Sequence, residues 1–254
     1  MNIIVSIKQV PDLVEELEIA ASGKELNREW LKYKINEFDD HALEEALCLK
    51  ETLGATVTVI ALDGEDIDKV LFTAAAKEAD KLVKVTGVGD NPSSHEAAKA
   101  LAGVISGMPC DLILTGVQAA DDRDGQLGVL LAHYLGVPHV SVVTGVSVAG
   151  NTATVHKEYG GGVIAEFEVS LPAVLGIQAA RQTPRYVPVA RVRQAMRAAT
   201  IDEVGGNTGG VSAGTSISRM FKPESGAGAQ MLEGAPADIA AKIVGIIREK
   251  GIKV

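Results

Sequence analysis

The stretch Gly116-Val117-Gln118-Ala119-Ala120-Asp121-Asp122-Arg123-Asp124-Gly125-Gln126-Leu127-Gly128 gathers more chemistry than any other part of the chain. Its glycines let a ligand approach the backbone closely, and a helix starting near Gln126 would turn uncovered N–H groups toward an anion. The carboxylates Asp121, Asp122 and Asp124 suggest a divalent cation, but Arg123 in their midst opposes one. A solvated acidic turn is the competing reading. Neither G-x-x-x-x-G-K-[ST] nor a G-x-G-x-x-G after the first strand is present, which argues against a P-loop nucleotidase and an ordinary nicotinamide dehydrogenase.

Other chemistry is sparse. His41, His95, His133, His139 and His156 are scattered, and none has metal spacing with another His or Cys. There is no G-x-S-x-G elbow, and no acid–base pair stands out. Cys48 and Cys110 lie in no motif, which excludes a zinc knuckle or iron–sulfur cluster held by this chain alone. The segment 183–191 holds two prolines that pin an extended loop, and Arg185, Arg191, Arg193 and Arg197 make it and its continuation basic. It reads either as a docking loop or as a solvated connector.

These residues must be positioned by an alternating scaffold. Strands are expected over 2–8, 56–62, 81–85 and 111–115, and helices over 39–53, 66–78, 93–105 and 126–135. Repeated strand–helix alternation implies right-handed crossovers and a parallel sheet, with ligands beyond the carboxyl ends of the strands. The run Leu112-Ile113-Leu114 suits a strand covered on both faces. After Pro138 the pattern changes. Residues 140–147, 152–157 and 163–170 read as consecutive antiparallel strands, and 173–177 as a further apolar strand. Residues 9–30 look irregular. Residues 204–218 read as a flexible Gly/Ser/Thr linker, 226–234 as loose, and 236–250 as a final amphipathic helix.

Bulk composition narrows the function classes. Hydrophobic residues make up 46% of the 254, but aromatics only 4%, so the core is aliphatic, as packed strands and helices require. A net charge of −9 makes nucleic acid a poor partner, because such binding rests on phosphate neutralisation. No run approaches a membrane span of about 20 residues, and the N-terminus does not read as a signal peptide. The expectation is a cytoplasmic protein.

Several motifs, taken together in order, resemble the beta subunit of electron-transfer flavoproteins across nearly the whole chain. Val5 through Asp12 resembles V-x-V-K-x-V-P-D. Asn36-Glu37-Phe38-Asp39 followed by Ala42-Leu43-Glu44-Glu45-Ala46 resembles N-P-F-D-x-x-A-L-E-E-A. Leu71 through Asp80 resembles L-x-x-A-L-A-x-G-A-D, and Gln118 through Gly128 resembles Q-A-I-D-x-D-x-x-Q-x-G. Leu171-Pro172-Ala173-Val174 and Pro184-Arg185-Tyr186 resemble L-P-A-V and P-R-Y.

The resemblance implies an α/β fold: an open, mainly parallel, Rossmann-like (adenine-nucleotide-hydrolase-like) sheet with helices on both faces, an antiparallel section and a C-terminal arm ending in a helix. It implies a nucleotide-binding domain over 1–200, and over 201–254 a linker and arm that pack on a partner. It implies a heterodimer with an alpha subunit that holds most of the redox FAD. This chain would bury AMP or, in bifurcating members, a second FAD, and would shuttle electrons from acyl-CoA dehydrogenases or similar partners. By matching positions, the nucleotide would lie on Ile7, Lys8, Asn36, Asp39 and the loop Asp121, Asp122, Arg123, Asp124, Gly125, Gln126, Leu127 and Gly128. Pro184, Arg185, Tyr186 and Val189 would dock the redox partner, with Val189 as a smaller apolar anchor than leucine. Among the departures from the family pattern, Glu37 replaces a proline, Arg123 an acidic residue, and Leu127 the threonine or valine of the AMP and bifurcating types. A rival of another class, an ATP-using ligase or hydrolase, would want a pyrophosphate loop where Gln9-Val10-Pro11-Asp12 stands.

Overall fold

The computed structural model describes residues 1–211, 216–224, 226 and 228–252. They form two compact units, Met1–Ser218 and Arg219–Val254. Part of the expected linker, 212–215, lies outside the described residues, as do 227 and the last two positions of the arm.

The first unit is built on a nine-stranded sheet, with strands β1 (Asn2–Ser6), β4 (Thr56–Leu62), β5 (Lys81–Thr86), β6 (Leu112–Gly116), β7 (His139–Ala149), β8 (Thr152–Tyr159), β9 (Val163–Ser170), β10 (Ala173–Ile177) and β11 (Ile201–Gly205). The order is β11-β5-β4-β1-β6-β10-β7-β8-β9. From β11 to β7 all neighbours are parallel, and β7-β8-β9 continue antiparallel. A two-stranded ribbon of β2 (Gln9–Pro11) and β3 (Tyr33–Ile35) stands apart.

Alternation along the strands decides which layer each side chain joins. Ile3 and Val5 point into one aliphatic core with Leu43 and Leu47 of α1 (Glu37–Leu53) and Leu71 of α2 (Ile67–Ala76). Ile4 and Ile113 point into a second core with Leu101 of α3 (Ser94–Ile105) and Leu131 of α4 (Leu127–Leu135). Helices therefore cover both faces. Gly54 closes α1 at φ +65°, a left-handed cap that suits glycine. Ser93 and Glu96 form a capping box at the start of α3.

The α/β architecture, the antiparallel section and the terminal helix α6 (Pro236–Glu249) are as expected. Four local expectations are corrected. Residues 9–30 are not wholly irregular, because Gln9–Pro11 pairs with Tyr33–Ile35. The strand 173–177 does not extend the antiparallel section. It lies between β6 and β7, parallel to both, and all five of its residues are buried. Residues 189–198 form a helix, α5 (Val189–Ala198), which packs against α2. Finally, Ile201–Gly205 is an edge strand on β5, so the sheet runs past residue 200 and takes in the start of the expected linker.

In the second unit α6 carries Ile239, Ile243, Ile246 and Ile247 at helical spacing, and no residue of this helix is buried. Phe221 and Met231 are exposed as well. Among the described residues no helix is long and apolar enough to cross a membrane.

Candidate functional site

The chain reverses its direction of travel across the sheet after β1. β4 and β5 add on one side, then β6 adds on the other. Neighbouring strand ends at such a switch point leave a crevice at their carboxyl ends. Here the crevice lies between the end of β1, continuing as Ile7 and Lys8, and the loop that follows Gly116.

Asp39, in the first turn of α1, bridges the two strand ends. Its Oδ2 accepts the Lys8 N–H at 2.8 Å and its Oδ1 accepts the Gly116 N–H at 2.9 Å. Burial is the dominant influence on its carboxyl and pushes it up to about 7, although the two amides, Asn36 and the Lys8 charge all act downward. Gly116 has no room for a side chain, since a Cβ would lie 2.7 Å from Phe38 Cβ and 2.8 Å from Asp39 N.

Asn36 is buried one turn earlier. Its Nδ2 donates to the Gln118 carbonyl at 2.8 Å, its Oδ1 accepts from Ala120 N at 3.3 Å, and its own N–H donates to the Lys8 carbonyl at 2.9 Å. Asn36 and Asp39 thus spend their side chains on shaping the crevice walls. Ile7 is buried in the core and donates its N–H to the Ile60 carbonyl.

The acidic loop is largely self-neutralised. Lys8 Nζ lies 2.8 Å from both Asp121 and Asp122. Burial lowers the Lys8 ammonium, but those carboxylates outweigh it and raise the group above its ordinary value. Asp124 accepts from Ser94 Oγ, at the start of α3, and from Gln126 Nε2. Arg123 adopts φ +54° and Gly125 φ +66°. The Arg123 guanidinium makes no hydrogen bond or ion pair with the described residues. The loop residues expected at the site are therefore brought together, but its ammonium is already matched and the guanidinium is the unspent cation.

The loop leads into α4, whose first residue Leu127 packs its side chain inward while Gln126 provides no side-chain cap. The first N–H groups of that helix thus face the loop without a side-chain acceptor. Beneath them Gly128 approaches the sheet closely. A Cβ there would lie 2.9 Å from Thr115 Oγ1 and 3.1 Å from His139 Nε2. Those two atoms are buried and have no hydrogen-bond partner among the described residues. Burial, then the Lys157 charge, lowers the His139 imidazole below its ordinary value. Neither orphan was anticipated, because nothing in the local sequence pairs Thr115 with His139.

Beside the crevice, over the ends of β4 and β5, lies a cavity of about 390 Å³ lined by Arg28, Asp63, Glu65, Gly87, Gly89 and Asp90. The overhanging segment from the β2–β3 ribbon places Arg28 there. Among the described residues no group of three or more His, Cys, Asp or Glu is placed to hold a metal ion.

The expected docking residues belong to a stretch that packs on α1 at Glu44 and Glu51. Arg185 is turned inward onto Glu44 and Glu51, and Pro184 is half-buried. Tyr186 is 85% exposed and Val189, in the first turn of α5, is 65% exposed.

The family model for the electron transfer flavoprotein domain matches residues 25–205. This chain is 34% identical to the electron transfer flavoprotein subunit beta of Methylophilus methylotrophus, with 98% of each chain covered. It is 28% identical to the subunit beta of Bacillus subtilis, again over 98% of each. It is 36% identical to that of Clostridium acetobutylicum over 76% of this chain and 74% of the relative. The chain belongs to the electron transfer flavoprotein beta-subunit family. The family model covers β6, the acidic loop and the segment from Arg185 to Val189, while the end of β1 with Ile7 and Lys8 lies before its first matched residue.

Proposed function

We propose that this chain is the beta half of a heterodimeric electron carrier, with an adenine nucleotide in the crevice between β1 and β6 and the redox FAD held mainly by an alpha subunit. The observation that carries the nucleotide reading is the start of α4, which lacks a side-chain cap at the switch point. The unpaired Arg123 supports it, because a guanidinium there can meet a phosphate with two parallel hydrogen bonds. Asn36 and Asp39 hold the walls, and Lys8 keeps the carboxylates of Asp121 and Asp122 from repelling the phosphate. The bound flavin supplies the redox chemistry; this chain positions nucleotide and partner and has no substrate of its own.

On this reading, Tyr186 and Val189 meet an acyl-CoA dehydrogenase or similar donor. The apolar stripe of α6 packs on the alpha subunit, since its own unit leaves that stripe without a buried residue. The cavity over β4 and β5 favours a second reading, in which the crevice holds a second FAD and the complex bifurcates electrons.

The test is to co-purify the chain with its alpha subunit, denature the complex, and count FAD and AMP. One of each per heterodimer is the expected result. Two FAD and no AMP would establish the second reading, and a colourless complex would overturn both.

A further inference from the structure

Helix α1 carries two adjacent glutamates where its neighbours are all apolar and buried. Glu44 is 1% exposed and Glu45 is fully buried. A buried carboxylate without partners costs several kcal/mol at least, on the order of 3–5, so both must be matched. His41, Glu44 and Glu45 lie at i, i+3 and i+4 and share one face of the helix. That face meets residues 180–185, which belong to no helix or strand.

Glu45 Oε2 accepts from Arg181 N at 3.0 Å. Its Oε1 accepts from Arg181 Nε at 3.0 Å, Arg181 Nη2 at 2.7 Å and Val146 N at 3.1 Å. Glu44 Oε2 accepts from Arg185 N at 2.9 Å and Nε at 3.0 Å. Its Oε1 accepts from Arg185 Nη2 at 2.9 Å and Gln182 Nε2 at 2.7 Å. His41 Nδ1 accepts from Ala180 N at 3.2 Å. One carboxylate thus grips both the main chain and the guanidinium of Arg185. Burial by itself would raise the Glu44 carboxyl, but Arg185 and Gln182 overcome it and hold the group below its ordinary value. Tyr186 follows directly, and Val189 opens α5 three residues later. Arg191 of α5 adds a contact to Glu78 at 3.4 Å.

We infer that Glu44 and Glu45 are positioning residues for partner docking: the latch from Glu44 to Arg185 fixes the irregular backbone that presents Tyr186 and Val189. The inference rests on the docking reading given above. An irregular surface stretch would otherwise sample many conformations, and ordering it on contact lowers affinity. Pre-ordering by a buried carboxylate removes that cost without the carboxylate touching the partner.

The test uses the assembled heterodimer and an acyl-CoA dehydrogenase that reduces the wild-type complex. Glu44→Gln, Arg185→Lys and Val189→Glu are compared for flavin content, for kcat and for the KM of the heterodimer as electron acceptor. Arg185→Lys keeps the charge but loses the fork, and it carries the test if Glu44→Gln does not assemble. The expected result is a KM raised on the order of tenfold in all three, equivalent to about 1.4 kcal/mol, with kcat and flavin content unchanged. A raised KM in Val189→Glu alone would overturn the latch and leave the docking reading standing. An unchanged KM in Val189→Glu would remove the docking reading and the latch with it.

Discussion

Gly116→Ala is the sharpest perturbation of the crevice. The residue ends β6, and its N–H donates to Asp39. An added Cβ meets Asp39 Oδ1, Phe38 Cβ at 2.7 Å and Asp39 N at 2.8 Å. All three atoms belong to the first turn of α1, and the Asp39 carboxyl is held by two backbone amides, so no flexible side-chain end can swing away. Overpacking of this kind costs about 1–3 kcal/mol. Pushing the helix start back also stretches the charge-assisted bond to Asp39, worth about 1.5–3 kcal/mol. The combined loss of about 2.5–6 kcal/mol is a large part of the ordinary 5–15 kcal/mol of a folded domain. Urea unfolding of the isolated chain, followed by far-UV circular dichroism, measures it. The same variant, co-expressed with an alpha subunit, should retain less nucleotide, because the walls no longer close at the right spacing. A variant within about 0.5 kcal/mol of wild type, the range of an ordinary surface substitution, would refute the claim that Asp39 clamps the two strand ends.

Asp39 also predicts a pH dependence. Its carboxyl rises from 3.8 to about 7 on folding, so between those values the folded chain binds a proton that the unfolded chain does not. Its contribution is therefore most favourable below pH 4 and is lost as pH rises to about 7, on the order of 4 kcal/mol in total. Unfolding free energies at pH 5 and pH 8 should fall more steeply with pH in wild type than in Asp39→Asn, and parallel profiles would contradict this. Lys8→Ala should change stability by about 1 kcal/mol or less, since its two ion pairs are solvent-accessible at the loop surface. It should still reduce nucleotide retained on purification, because Asp121 and Asp122 lose their counter-charge. Ending the chain after Ser218 should leave the melting temperature of the first unit unchanged while reducing co-purification with the alpha subunit; undiminished co-purification would place α6 outside the interface.

Much of the scaffold was legible because it obeys local rules. The apolar runs in β1, β4 and β6 mark strands covered on both faces, and Gly54 and Ser93 punctuate helices in the ordinary way. The acidic, glycine-bearing loop was placed correctly because α/β alternation puts such loops at carboxyl strand ends. Less visible was the use to which each polar group is put. Lys8, expected by resemblance to lie against the nucleotide, is also paired with Asp121 and Asp122, and Arg185, which reads as part of a basic loop, is folded inward onto Glu44. Charge patterning along one element cannot show a partner that is supplied by a segment more than a hundred positions away.

The same limit governed topology. The five apolar residues of β10 announce a buried strand, yet their place between β6 and β7 follows from the long return across the β7–β9 hairpins, which no local pattern encodes. The helix over Val189–Ala198 was hidden because two prolines precede it and none of its residues is fully buried, with only Val192 and Ala195 half-buried on the helix that packs against α2. Composition and periodicity by themselves determined an aliphatic, alternating α/β chain with an acidic, glycine-bearing loop at the carboxyl end of one strand. Only the tertiary structure decided that Asn36 and Asp39 tie the ends of β1 and β6 together, that Thr115 and His139 lie unpaired beneath the start of α4, and that Glu44 holds the irregular stretch at Arg185. The contacts of Asn36, Asp39 and Glu44 each join residues remote in sequence, and the low dielectric of the interior makes such matched polar groups costly to separate.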